Sequence, residues 1–261
     1  MVLLGLLWMQ QERVVFQPPL VLSSFATKRD ARSAVRQVSY RADDGTEVFG
    51  FLVGELHTAD QLLIAFHGNA DLARNLIPWA QTVMQVTRVP VLLPEIRGYD
   101  GLPGRPTYLA AASDARAAHG FATDVLGVSR DRIALFGHSL GSAIATELAS
   151  ECEPIALLLQ SPFTSARAMA RRMMLPGLTL FWTVVSRVHY DTTERVRRLR
   201  ATVSVAHGQR DMIVPVQMGR AVYDAAAVKG GLLIVPGAGH NDVAERAPEE
   251  YWAWLSGALK R

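Results

Sequence analysis

"LFGHSLGSA", Leu135 to Ala143, is the stretch whose reading decides the fold. Within it, Gly137-His138-Ser139-Leu140-Gly141 has the form G-x-S-x-G, a pattern loose enough to occur by chance. Its flanks give it meaning. "RIALFGHS" (Arg132 to Ser139) reads as an apolar strand and "LGSAIATELAS" (Leu140 to Ser150) as a helix. A serine on a sharp strand-to-helix turn stands exposed above a sheet, at a helix N-terminus that favours developing negative charge. Gly137 and Gly141 fall where a Cβ would collide with the neighbouring strand or helix. Ser139 is therefore the expected nucleophile. Ser142 and Ser161 lack this context and read as polar satisfaction within the helix and at a strand end.

The same alternation runs outward along the chain. "QVSYRADDGTEVFGFLV" (Gln37 to Val53) reads as a hairpin around Asp44-Gly45. "LLIAFHG" (Leu62 to Gly68), "VPVLLPEIRGYDG" (Val89 to Gly101), "IALLLQSPF" (Ile155 to Phe163), "TVSVAHGQRD" (Thr202 to Asp211) and "GLLIVPGAGH" (Gly231 to His240) read as strands or strands entering loops. Helical patterns separate them: Asp71 to Val86, an Ala-rich stretch from Tyr108 to Val125, Val216 to Ala226, and a closing helix from "PEEYWAWLSGALKR". Near-continuous apolar strands between helices imply an α/β fold, with a mostly parallel sheet covered on both faces. The length of 261 residues suits a single domain, residues 1–261, with an apolar extension at 1–18 and a lid-like insertion at 164–191. That insertion is longer than one helix needs and carries Met173, Phe181 and Trp182, read here as substrate-binding.

A serine hydroxyl needs a base, and seven histidines are available. His138 adjoins the nucleophile and cannot easily turn back onto it. His67 and His207 each precede a glycine at a strand end and read as satisfying backbone groups. His57, His119 and His189 fall in hairpin, helix and lid. His240, in the loop "PGAGHND" after the last strand, fits the chain order Ser, acid, His. Asp211, in "HGQRDMIVP", follows a strand directly and is the expected acid; Asp242 is the runner-up, close to His240 in sequence. The expected oxyanion donors are the N–H of Leu140 and Asn69 in "HGNAD", with backbone and side-chain roles of Asn69 both open.

Composition narrows the classes. A net charge of +3 is too mild to argue for nucleic acid, although arginines gather at Arg167, Arg171, Arg172 and Arg187 and again at Arg195, Arg197, Arg198 and Arg200. These read as solvated helix faces, or as attraction to an anionic lipid surface or substrate. The lone Cys152 excludes an intramolecular disulfide. "VLLGLLWM" (Val2 to Met9) is far shorter than the ~20 residues of a membrane span. It reads as the remnant of an anchor, a core-packed helix or a surface helix. Peripheral membrane contact through the N-terminus and a cytoplasmic, membrane-associated location are the corresponding expectations.

The chain resembles the α/β-hydrolase superfamily, and within it the branch of membrane-associated serine hydrolases and protein depalmitoylases. "HGNA" (His67 to Ala70), "RGYDGLPGRPT" (Arg97 to Thr107), "GHSLG", "SPFTS" (Ser161 to Ser165), "HGQRDMIVP" and "GAGHND" (Gly237 to Asp242) carry the resemblance. It implies an α/β-hydrolase fold, a Ser139-Asp211-His240 triad and no cofactor. It also implies an apolar anchor before "QERVVFQP" (Gln11 to Pro18). The Cys-rich N-terminal region of the depalmitoylase branch has no counterpart here, so that substrate is not carried over. The expected activity is hydrolysis of carboxylic esters with short to medium apolar acyl groups, on a small-molecule substrate. A thioesterase, a peptidase and a non-catalytic binding protein on the same fold are the alternatives. Oligomeric state is not set by these residues.

Overall fold

The structure is a computed structural model that describes residues 11–13, 15–19, 35–56, 61–173, 186 and 188–260. Among the described residues eight strands form one sheet: β1 (Val35–Arg41), β2 (Glu47–Val53), β3 (Leu62–Phe66), β4 (Val91–Pro94), β5 (Ile133–His138), β6 (Ala156–Gln160), β7 (Thr202–Gly208) and β8 (Lys229–Val235). The strand order is β1-β2-β4-β3-β5-β6-β7-β8. β2 pairs antiparallel with β1 and β4; every other pairing is parallel. Helices among the described residues include α1 (Ile77–Thr87), α2 (Tyr108–Gly120), α3 (Leu140–Cys152), α4 (Ala166–Met173), α5 (Thr192–Val196), α6 (Val216–Ala225), α7 (Val243–Arg246) and α8 (Pro248–Leu259).

The period of two along each strand divides the core. Leu62, Ile64, Phe66, Ile133, Leu135, Leu157, Leu159, Val203 and Val205 face one layer, with α2, α3, α5 and α6. Leu63, Ala65, Ala134, Phe136, Ala156, Leu158 and Ala206 face the other, with α1, α7 and α8. The sheet is apolar on both faces because helices cover both, as the Val/Ile/Leu-rich strands require.

Two helix boundaries differ from the sequence reading, for local reasons. The pattern from Asp71 begins as a 3₁₀ turn, Ala73–Leu76, and becomes regular only at Ile77, where Pro78 sits in the first turn. The Ala-rich pattern to Val125 ends as α-helix at Gly120. Residues Phe121–Val125 form a wider π turn, with the Leu126 N–H donating to the Phe121 carbonyl at 3.0 Å. In the arginine-rich stretch, Arg195 pairs with Glu147, and Arg197 and Arg198 with Glu194, as a charged helix face would. No helix among the described residues is long and apolar enough to cross a membrane.

The order of strands fixes where a site can form. From β3 the chain crosses to β4 on one side, then returns to β5 on the other. The segments after β3 and β5 therefore diverge, leaving a crevice at the carboxyl ends of these two neighbours.

A buried polar chain ties the second layer together. Trp79 Nε1 donates to Tyr251 Oη at 3.0 Å, and Tyr251 Oη donates to Gln160 Oε1 at 2.7 Å. Tyr251 is fully buried. Tyr251→Phe strands both neighbours, and urea unfolding should show a loss of about 1–3 kcal/mol with the m-value unchanged.

Candidate active site

The turn after β5 is built from backbone in contact with backbone. A Cβ on Gly137 would lie 2.2 Å from the Gly141 carbonyl oxygen, and one on Gly141 would lie 2.2 Å from the Phe66 carbonyl oxygen. Only glycine allows the first turn of α3 to cross so close to β3. Between them Ser139 takes φ 52° and ψ −115°, a region that costs a non-glycine residue roughly 1–3 kcal/mol. Its N–H donates to the Gln160 carbonyl at 3.0 Å, and its carbonyl accepts from Ser142 Oγ at 2.5 Å. The strained residue is thus held from β6 and from α3, at the carboxyl end of β5.

There the structure brings together the residues expected from sequence. Ser139 Oγ donates to His240 Nε2 at 2.9 Å, and His240 Nδ1 donates to Asp211 Oδ2 at 2.6 Å. Asp211 Oδ1 accepts from the N–H groups of Ile213 and Val214 at 2.9 and 2.8 Å. Burial pushes the Asp211 carboxyl up. Hydrogen bonds from His207 and His240, the charge of His240 and the Val214 N–H outweigh burial and hold it well below the usual carboxylate range. Asp242, the runner-up acid, is engaged locally: it accepts from the Gly239 N–H at 2.6 Å and pairs with Arg246 at 2.9 Å.

Three further side chains hold this relay. His207, expected to serve backbone groups, also reaches the acid: its Nε2 lies 2.9 Å from the Val214 carbonyl and 3.2 Å from Asp211 Oδ2. His138 turns away from Ser139 and donates from Nε2 to the His240 carbonyl at 3.2 Å, its ring 5.1 Å from that of His240. Ser161 Oγ donates to the same carbonyl at 3.1 Å. Sequence signalled the positions of His138 and Ser161, beside the elbow and at the end of β6, but not their shared acceptor.

The turn after β3 has its own buried support. Both ring nitrogens of His67 face acceptors, the Gly68 carbonyl and Glu95 Oε1, each at 2.8 Å. Burial opposes its protonation, but the Glu95 charge and hydrogen bond prevail and raise its pKa. Glu95, fully buried, also accepts from the N–H groups of Ala73 and Ile96 at 3.0 Å each. A strand-end histidine expected to bond backbone alone is thus also half of a carboxylate–imidazole pair. The side chain of Asn69 is engaged away from the crevice: Nδ2 donates to the Val15 carbonyl at 2.7 Å, and Oδ1 accepts from the Gln17 N–H and Tyr99 Oη at 2.8 Å each. Leu140, at the first position of α3, has an N–H with no carbonyl four residues earlier in its helix.

Residues 62–194 match the alpha/beta hydrolase family. The chain belongs to the alpha/beta hydrolase family. It is 34% identical over 239 residues to an uncharacterized protein of Mycobacterium tuberculosis, covering 90% of this chain and 82% of that one. Against a lysophosphatidylserine lipase of Danio rerio it is 30% identical over 148 residues, 51% of this chain and 38% of the lipase. An esterase of Pyrococcus furiosus shares the fold, with a TM-score of 0.71 at 21% identity over 95% of this chain and 98% of that one.

Around the crevice of this hydrolase-family chain, α4 carries Met173 at its C-terminal end, 69% exposed, and Arg172 Nη2 donates to the Met212 carbonyl at 3.3 Å, tying α4 to the loop after Asp211. Phe181 and Trp182, and most of the expected lid, lie outside the described residues. Cys152, the last residue of α3, has its thiol pushed up to about 12, chiefly by burial, which leaves it inert.

Burial first, and then the adjacent His240 ring, push the His138 pKa down to about 4, against the opposing hydrogen bond to the His240 carbonyl. In the unfolded chain the same group titrates near its ordinary value of about 6.5. Between these values only the unfolded chain binds the proton, so His138 contributes stability above pH ~6.5 that is lost as pH falls toward 4. Urea unfolding of wild type and His138→Gln at pH 7 and pH 5 should show a smaller acid-side loss in the variant; parallel losses would contradict this assignment.

Proposed function

We propose that this protein is a serine hydrolase that cleaves carboxylic esters through an acyl-enzyme. The observation that carries the reading is the unbroken relay from Ser139 Oγ through His240 to Asp211, at 2.9 and 2.6 Å. His240 Nε2 is placed to take the hydroxyl proton as Ser139 attacks the acyl carbon. The Asp211 carboxylate keeps Nδ1 protonated and stabilises the imidazolium that forms. The N–H groups of Asn69 and Leu140 would receive the oxyanion of the tetrahedral intermediate. Because the Asn69 amide side chain is occupied by Val15, Gln17 and Tyr99, its contribution is assigned to the backbone. His240 then returns the proton to the leaving alcohol, and water attacks the acyl-enzyme by the same route.

Met173, Met212 and Ile213, all exposed near the acid loop, supply apolar surface and support a short to medium acyl group. Membership of a hydrolase family and 30% identity to a lysophosphatidylserine lipase over half the chain agree with an acyl ester substrate.

A fluorophosphonate probe should label wild type and leave Ser139→Ala unlabelled. A p-nitrophenyl ester series of increasing acyl length on the same preparations ranks the acyl group. Failure to cleave any member would sink the ester reading and turn attention to a parallel thioester series. Asp211→Asn leaves the shape and removes the acceptor that sets the His240 tautomer; kcat should fall by about 10⁴ while KM changes little.

A further inference from the structure

We infer that the segment Val15–Gln17, through the side chain of Asn69, is a positioning element for the oxyanion hole, so that turnover depends on this strap being docked. The inference rests on the assignment of the Asn69 N–H as an oxyanion donor.

His67 and Glu95 support the turn that carries Asn69 on one side only. Ala70, the next residue, has φ +55°, a left-handed conformation uncommon for a residue with a Cβ. The other side is held from far along the chain. Asn69 Nδ2 donates to Val15 O and Asn69 Oδ1 accepts from Gln17 N, across separations of 54 and 52 residues. Tyr99 Oη donates to the same oxygen. The strap meets the amide edge-on, one backbone group on each side, as a neighbouring strand would.

The strap is in turn fixed by two anchors outside the crevice. Phe16, between the two bonded residues, is 2% exposed and belongs to the core layer that holds Phe66, Leu72 and Tyr99. Glu12 Oε1 accepts from the N–H of Tyr108 at 3.1 Å, an orphan donor in the first turn of α2, and the Phe16 N–H donates to the Glu12 carbonyl at 2.7 Å. Burial of one aromatic ring therefore sets the height at which Asn69 is gripped. The opposite side of the turn is fixed by His67 and Glu95. With both grips in place, the Asn69 N–H points along one direction before substrate arrives, and preorganised donors are worth most. With the strap released, the strained turn has no reason to keep that direction.

Asn69→Ala separates the two roles of this residue, because it keeps the backbone N–H and removes only the grip. Phe16→Ala loosens the strap without touching the site, and Phe16→Leu refills most of the space. Steady-state kinetics on p-nitrophenyl esters, with active sites titrated by burst amplitude, should show kcat down by about 10–100-fold in Asn69→Ala and Phe16→Ala, and KM within about threefold. The double variant should be no slower than the slower single, because both remove one restraint. Phe16→Leu should recover most of the rate. Independently of activity, hydrogen exchange in folded Phe16→Ala should quicken across residues 67–72 and stay unchanged across 208–214. Wild-type rate in Asn69→Ala, or unchanged exchange at 67–72, would overturn the inference. If wild type cleaves no ester, the functional reading fails, and the exchange result still decides whether the strap holds the turn. If Phe16→Ala does not fold, Asn69→Ala decides in its place, through the same kinetics and exchange.

Discussion

The contact on which the rest depends is one of backbone against backbone, where the first turn of α3 passes over the end of β3. There is no room for a Cβ at Gly137 or Gly141, each of which would meet a carbonyl oxygen at 2.2 Å. That closeness forces the chain to reverse within a few residues and leaves Ser139 in a conformation it would not choose. The strain persists because hydrogen bonds from β6 and α3 over-determine the residue. A looser crossing would relax Ser139 and move its hydroxyl out of reach of His240. The same crossing brings the N-terminus of α3 beside the turn after β3. Serine, helix dipole and backbone donors therefore arrive at one place as a single consequence of packing.

The loops around that crossing share a design. Each is gripped by hydrogen bonds: the Asp211 loop by groups near in sequence, the other two by groups distant in sequence. The Asp211 loop is held by its own N–H groups and by His207, and the His240 loop by His138 and Ser161, both on its carbonyl. The turn after β3 is held by Glu95 on one side and by the strap on the other. Two buried imidazoles are pushed in opposite directions. His67, between two acceptors, is pulled toward the cation by Glu95 against burial. His138, whose charged neighbour would be His240, is pushed toward the neutral form. The difference lies in the partner, since burial disfavours both cations. A neutral His138 beside His240 avoids a like-charge pair when an imidazolium forms there in the proposed reaction.

Much of this was legible in the residues. Period-two apolar runs separated by helical patterns specified a parallel sheet covered on both faces, because a strand buried on both sides has no polar positions to spare. The elbow announced itself through two glycines around a serine. Asp211 and His240 followed from chain order and from their places just past β7 and β8. Boundaries were less legible: the 3₁₀ start at Ala73 gives way to regular helix at Ile77, beside Pro78, and the π turn at Phe121–Val125 continues an otherwise helical pattern without a residue that marks it.

The sequence by itself determined the architecture and the candidate nucleophile, base and acid, because these depend on periodicity and on short motifs whose geometry is local. Only the tertiary structure decided which atoms those motifs face. That the Asn69 amide bonds Val15, Gln17 and Tyr99, that His207 leans on Asp211, and that His138 and Ser161 share one carbonyl all depend on pairings made by the fold. The strap and Asn69 bond across separations of 52 and 54 residues, a distance at which no pattern in the chain records who the partner will be. A hydrogen-bonding side chain carries its chemistry in the sequence; its partner is chosen only when the sheet closes and burial leaves each polar group the few neighbours within reach.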